Sequence, residues 1–438
     1  MIAVIVLDVV LAPPSASGDP WDAPSRQVWG SGTELVSVDV PGVDAGFNSR
    51  GNAVSADGRY VAFASVVKWD PDDDNNRWDI YLRDRAEGTT VLISRGLDGT
   101  AGDEHSDAPS ISADGRYVVF YSSASDLVVA AEPHPVGQYD IYRHDTQTGV
   151  TELVSVARNG GWGNGQSIEQ SLSASGELVA FTSTSSNLVS HDTNSKRDVF
   201  RRDMVRGTTE RVSVSYTGEQ LARPSLEPSI SGSGTLVAFV SYDSAVVRVD
   251  DDRRRDVFVR DLVEETNSAV SVTSDEAPVV RASAYPTFSG NGRCVAFESD
   301  APGLTGRNRL DTVDIFVRDL VKGSTRLVSR SSSGNPGNDD SHGASINQTC
   351  RLVAFNSGAT NLVPLMSHPY AGHVYVRNLD RRTTRWVSVP YDPSLSLKLY
   401  AYGAHISADG SVVAFDSSWK SLVPGDVDQS EDVFVRRR

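Results

Sequence analysis

Cysteine is nearly absent from this chain: two residues in 438, Cys294 and Cys350. So few cannot make a disulfide framework. With no C-x-x-C pair, zinc-ribbon and dithiol redox chemistry are excluded as well. Cys294 sits in the apolar run "RCVAF" and reads as a small buried hydrophobe, whereas Cys350 reads as a turn residue. A bridge between them is possible in principle, but sequence does not supply its geometry. Positive charge is also short, with 41 Lys and Arg against 57 Asp and Glu and a net charge of −16. That excludes the basic stripe a nucleic-acid partner needs. An acidic surplus serves solubility first and attraction of cations or basic surfaces second. Long apolar runs are missing too. The one candidate, Ile2 to Leu11, is too short to cross a bilayer. Small residues follow it at Ser15–Ala16–Ser17, as in a signal peptide, although no Lys or Arg precedes the run and Asp8 interrupts it. The expectation is an exported protein with a signal-like or disordered segment over residues 1–32 and a single domain over 33–438.

Helix-period segments are the last absence, and a repeat takes their place. "SADGRYVAF" ends at Phe63, "SADGRYVVF" at Phe120, "SASGELVAF" at Phe181, "SGSGTLVAF" at Phe239, "SGNGRCVAF" at Phe297, "NQTCRLVAF" at Phe355 and "SADGSVVAF" at Phe415. Successive copies lie 57 to 61 residues apart, and a fixed period of that size marks a repeat architecture. Each copy spells four short strands with period-2 alternation. The first is a short strand such as "PSIS", followed by an Asp/Ser/Asn-Gly turn. Then come "RYVAF", a "DVFVRDL"-like strand and a "TRLVSV"-like strand. The small Ala of "VAF" lets a neighbouring sheet approach closely. Four-stranded sheets repeated radially make a β-propeller, here an all-β fold of seven blades. The seventh copy runs out of chain after "EDVFVRRR", one strand short. "TELVSV" at Thr33–Val38 repeats Thr151–Val156 letter for letter, so it is expected to complete the last blade and cover its open edge.

The "SxDGRxVAF" repeat resembles the TolB-like, or WD40-like (PD40), bacterial propeller family over about residues 33 to 438. The resemblance implies the fold and says little of activity. The family includes a periplasmic envelope protein, propellers attached to peptidases, and polysaccharide-acting enzymes. Residues 1–32 are too few for the N-terminal α/β domain of TolB itself. No G-x-S-x-G elbow and no sialidase-type Asp-box is present.

Alternation of connections places the second-to-third and blade-to-blade loops on one face, and these are the long ones. Function concentrates on such loops. Trp69, Tyr370, Tyr400, Tyr402 and Trp419 fall on long loops of the sixth, seventh and first blades, contiguous once the ring closes, and suit a protein or glycan ligand. Equally, they could pack as small cores beneath those loops. Glu169 and Glu227 hold equivalent places in neighbouring blades beside the channel, and with His105, His342 and His405 nearby they are the candidates for acid–base chemistry. The alternative is salt bridging, for Glu227 with Arg223. A D-x-[DN]-x-x-x-D pattern recurs in the second-to-third loops, for example at Asp73/Asn75/Asp79 and Asp192/Asn194/Asp198. It begins like a calcium loop, yet Arg77, Lys196 and Arg254 occupy the middle position in three copies. Only Asp426, Asp428, Ser430 and Asp432 keep oxygens throughout. Asx-turns explain the pattern without metal. Six serines, at 49, 106, 167, 225, 283 and 341, precede the innermost strands and read as turn chemistry, since catalysis would break such symmetry. The reading is a monomeric, exported, non-enzymatic propeller that binds through its long-loop face and needs no cofactor. The alternatives are a polysaccharide-acting hydrolase or lyase using channel-facing groups, and a calcium-stabilised structural module.

Overall fold

A computed structural model describes residues 28–30, 32–38, 48–248, 254–306, 312–364, 372–391, 400–419, 421–424, 426 and 430–438. Among them run twenty-eight strands in seven four-stranded antiparallel sheets. Blade 1 is β2 (Ser49–Val54), β3 (Tyr60–Ser65), β4 (Asp79–Asp84) and β5 (Thr89–Leu92). Blades 2 to 6 repeat this order from β6 (Ser106–Ile111) to β25 (Thr383–Trp386). Blade 7 is β26 (Ala401–Ile406), β27 (Val412–Ser417), β28 (Asp432–Arg437) and β1 (Thr33–Leu35).

The repeat dictates this local structure directly. Ser55 opens the "SADG" turn: its Oγ donates to Asp57 Oδ1 at 2.7 Å and accepts from the Tyr60 amide at 3.0 Å. Gly58 then takes a left-handed φ of +75°, and a Cβ there would lie 2.6 Å from Val412 of the preceding blade. Glycine is therefore required twice over, by backbone conformation and by space. The "VAF" that follows is buried throughout. Phe63 stacks on Tyr81 of β4 at 6.0 Å between centroids, and the equivalent aromatic pair recurs in every blade. Ala62 faces blade 2 and packs with Val118 and Phe120, which is the close approach its size allows.

The expected closure is present. β1 pairs antiparallel with β28, Glu34 opposite Val435. Past the ladder, Ser37 Oγ donates to Asp432 Oδ1 at 2.7 Å. Packing reaches further back than Thr33: Val28 bridges Trp386 of blade 6, and Trp29 is fully buried in the core shared by blades 6 and 7.

The two cysteines form a disulfide, Cα to Cα 5.9 Å, so Cys294 is more than a small hydrophobe. The bridge has a local cause. Each turn glycine packs on the first residue of the second strand in the blade before it: Gly115 on Tyr60, Gly176 on Tyr117, Gly410 on Leu352. In blade 6 that turn reads "NQTC", and Cys350 occupies the glycine place with φ +59°. The residue it meets in blade 5 is Cys294, the first of β19 (Cys294–Ser299). A van der Waals contact in the other seams becomes a covalent bond in this one.

Candidate functional site

The third residue of every innermost strand is left-handed: Gly51, Ala108, Glu169, Glu227, Tyr285, Gly343 and Gly403, with φ between +50° and +67°. A β-bulge sits at the same place, as in the register break between Ile168 and Ser171 of β10 (Ser167–Leu172). Non-glycine residues rarely hold such a φ, least of all one as bulky as tyrosine. The ring is consequently lopsided at its axis. Blades 3, 4 and 5 project Glu169, Glu227 and Tyr285, whereas blades 6, 7 and 1 present glycine.

The bulges free backbone amides, and carboxylates of the preceding blade satisfy them. Glu169 Oε2 accepts from the Glu227 amide and from Thr182 Oγ1, both at 2.9 Å. Glu227 Oε2 accepts from the Tyr285 amide at 2.7 Å, and its Oε1 pairs with Arg255 and not with Arg223. Glu298 Oε1 accepts from the Gly343 amide at 2.7 Å, and Asp416 Oδ2 from the Gly51 amide at 3.0 Å. These acids clasp one blade to the next.

Between the clasps lies a cavity of about 570 Å³, walled by Glu169, Glu227, Tyr285, Glu298, His342 and His405 and by the bulge glycines of blades 6 and 7. Its titratable groups are tuned apart. Burial pushes the Glu227 carboxyl up, against the pull of the Tyr285 amide and Arg255, and the Glu169 charge adds to the rise. His342, hydrogen-bonded through Nδ1 to Glu298 Oε2 at 2.8 Å, is held above the ordinary imidazole range by that carboxylate. His405 is exposed on the cavity wall, yet desolvation by the surrounding protein pushes it down to about 4. One imidazole is thus biased towards the charged form and the other towards the neutral form within one cavity.

Asp416 gives the closing seam a pH dependence. It is 2% exposed and takes Asn52 Nδ2–H at 2.7 Å besides the Gly51 amide. Burial, reinforced by Glu431 and opposed by Asn52, Gly51 and Arg50, pushes its carboxyl up to about 8. A folded-state value above the unfolded one of about 3.9 stabilises the fold below that unfolded value. The contribution is then lost as pH rises through about 8. Urea midpoints of the parent and of Asp416→Asn, measured from pH 4 to 9, are expected to shift steadily in favour of the variant and to level off above pH 8. Parallel profiles would show that the group does not titrate in this range.

The other candidates fall as follows. Trp419 is 4% exposed and lies in the core with Trp29 and Phe434, so it is no exposed platform. Trp69 is half-buried against the blade 1 core, with its Nε1 on Ser65 Oγ at 3.2 Å. Both fill the wedge that opens between blades away from the axis, and this corrects the expectation of a seam of exposed aromatics. Tyr400 and Tyr402 are exposed, and the Tyr402 hydroxyl donates to Glu431. Tyr370 and Asp428 lie outside the described residues. His105 Nδ1 accepts from the Trp78 amide at 3.1 Å.

The six serines hydrogen-bond second-strand serines at 2.9–3.0 Å, a scaffold role. In the D-x-[DN] pattern, Asp73 and Asn75 cap the amides of Asn75 and Arg77, as Asx-turns do. The closing Asp of the pattern accepts from the serine two residues past the fourth strand: Asp79 from Ser94, Asp198 from Ser213, Asp432 from Ser37. Among the described residues no group of three His, Cys, Asp or Glu side chains is placed to hold a metal, and Asp426 and Ser430 each have partners. Tyr285, Glu298, Arg255 and Asp416 were not singled out from sequence. Aligning the third residue of each copy's innermost strand would have found the first of them.

With the blades and their turns in view, the repeat motif is placed as turn plus second strand, seven times over. Its fold is consistent with the TolB-like repeat. No family model matches the sequence, and no curated protein matches it. Among solved structures, oligogalacturonate lyase from Vibrio parahaemolyticus is similar at TM-score 0.55 and 12% identity, over 93% of this chain and 97% of that one. An acylaminoacyl peptidase from Pyrococcus horikoshii is similar at TM-score 0.51 and 9% identity, over 89% of this chain and 52% of that one. TolB from Acinetobacter baumannii is a looser neighbour, at TM-score 0.41 and 14% identity over 70% of this chain, which spans 58% of that protein's length. The likeness is one of fold.

Proposed function

We propose that this protein is an exported binding module whose ligand, a protein segment or a glycan, enters from the long-loop face and lodges in the axial cavity. The carrying observation is the lopsided bulge ring. Three neighbouring blades project Glu169, Glu227 and Tyr285 at strained positions, while glycines clear the opposite side. Side chains kept in sparsely populated backbone regions point to function, and a concave site with a few convergent polar groups is where a ligand binds. The disulfide supports export, because such bridges persist in oxidising compartments. The glutamates support binding over hydrolysis, since each is already engaged by a backbone amide.

An array of glycans and peptides, followed by titration of the hit, tests this reading. Tyr285→Ala and His405→Ala are expected to weaken binding by about 2 kcal/mol or more, as truncated anchors do, while leaving the melting temperature within a few degrees of the parent. Unchanged affinity in both variants would remove the axial cavity from consideration. The rival, acid–base chemistry on a polysaccharide, is favoured by the divergent His342 and His405. It expects turnover of the hit that Glu227→Gln abolishes while binding persists.

A further inference from the structure

A second cavity, of about 560 Å³, lies at the rim between blades 5 and 6. Four arginines line it. Arg326 comes from β21 (Ser324–Leu327), Arg330 from the loop after it, Arg377 from β24 (His373–Asn378) and Arg382 from the turn before β25. In a chain of net charge −16 such a concentration of one sign is unexpected. Among the described residues Arg326, Arg377 and Arg382 form no ion pair. Asp380, two residues from Arg382, pairs with Arg351 at 3.2 Å.

Comparison with the neighbouring seam shows one acid replaced here. Arg318 holds the same place in blade 5 as Arg377 in blade 6, and it pairs with Glu276. Gly334 stands at the corresponding position in the next repeat. Arg377 is nonetheless 4% exposed, its guanidinium anchored by Nη1 to the Ser331 carbonyl at 3.0 Å and Thr384 Oγ1 at 2.9 Å. Burial and the charges of Arg330 and Arg382 push it down to about 10, as befits a cation without an acid to balance it. Two polar atoms of the same wall, Arg326 Nε and Thr305 Oγ1, are buried without a hydrogen-bond partner.

We propose that this rim groove between blades 5 and 6 is a binding site for a multivalent tetrahedral oxyanion, a phosphate or sulfate group either free or esterified. Guanidinium forks match the paired oxygens of such a group, and a single carboxylate would neutralise only one of the four charges. The unpartnered Arg326 Nε–H and Thr305 hydroxyl supply further donors. The site is separate from the axial cavity and stands whatever lodges there.

The test is a titration of the full chain with inorganic phosphate at constant ionic strength, chloride making up the balance, read as melting temperature. The parent is expected to show a saturable rise that chloride does not give, because a ligand of the folded state alone stabilises it. R382Q and R326Q are each expected to weaken the apparent affinity at least tenfold, with melting in chloride unchanged. Arg382 is exposed, so its variant reports even if R326Q folds poorly. A parent that responds alike to phosphate and chloride, or variants that respond as the parent does, would overturn the proposal. Glycerol phosphate and vesicles containing phosphatidylglycerol then identify the source. A response to the soluble ester without flotation assigns a free ester, and flotation lost in R382Q assigns a lipid headgroup.

Discussion

Removal of residues 1–38 is expected to unfold blade 7 and to leave a protein that melts well below the parent. The deletion takes away the outer ladder of β28 and the Ser37–Asp432 bond. It also removes the pairing of Glu34 with Arg85 at 2.7 Å. Two fully buried side chains, Trp29 and Val36, go with it. Burying a large apolar side chain is worth about 1.5–3 kcal/mol, and truncating a buried tryptophan costs about 3–5. The sum is comparable with the whole stability of a typical domain, about 5–15 kcal/mol. It falls on one seam, so hydrogen exchange followed by mass spectrometry should rise first in peptides covering Val412–Ser417 and Asp432–Arg437. Trp29→Ala alone should show the same pattern more weakly. Exchange that rises evenly around the ring, or a deletion that melts with the parent, would show that blade 7 stands without its borrowed strand.

Reduction of the Cys294–Cys350 bridge is expected to destabilise the fold by about 4 kcal/mol, the chain-entropy figure for a loop of this length; the two cysteines are 56 residues apart. The variants separate bond from backbone. Cys350→Gly restores the residue that the other six turns carry at this left-handed position, so it loses the bond alone. Cys350→Ser loses the bond and keeps a side chain at φ +59°, a conformation unfavourable by about 1–2 kcal/mol for a residue other than glycine. The expected order of urea midpoints is therefore parent, then Cys350→Gly, then Cys350→Ser, and reductant should move only the parent. A parent indifferent to reductant would show that the bridge carries no stability.

The ring was legible because its cause is local. Seven turns and seven apolar strands at a constant spacing need no tertiary information, and the closure followed from a six-letter identity between Thr33–Val38 and Thr151–Val156. The site was legible only in part, for physical reasons. A loop tryptophan reads the same whether it faces solvent or fills the wedge between blades, and Trp419 fills the wedge. Left-handed backbone announces itself through glycine, so Gly51, Gly343 and Gly403 gave a signal that Glu227 and Tyr285 at the same bulge did not. The seventh-blade loop shared its acidic spacing with blades whose acids form Asx-turns and bond serines just past the fourth strand, and spacing alone does not separate the two uses. "NQTC" broke the turn pattern where the disulfide forms, but a departure from a motif names no partner.

The seventh sheet also sets the order in which the protein can be completed. Blades 1 to 6 are each cut from one continuous run of chain, and their contacts can form as that run emerges. Blade 7 joins Ser37 to Asp432 across 395 positions. Until residues 432–437 have been made, Val36 and Trp29 have no finished core to enter, and β1 stays unpaired while the residues between Ser37 and Asp432 are synthesised. Contacts of such separation form slowly and leave edges exposed meanwhile. Synthesis of Asp432–Arg437 is thus the event that ends the interval in which blade 7 is open to misassembly.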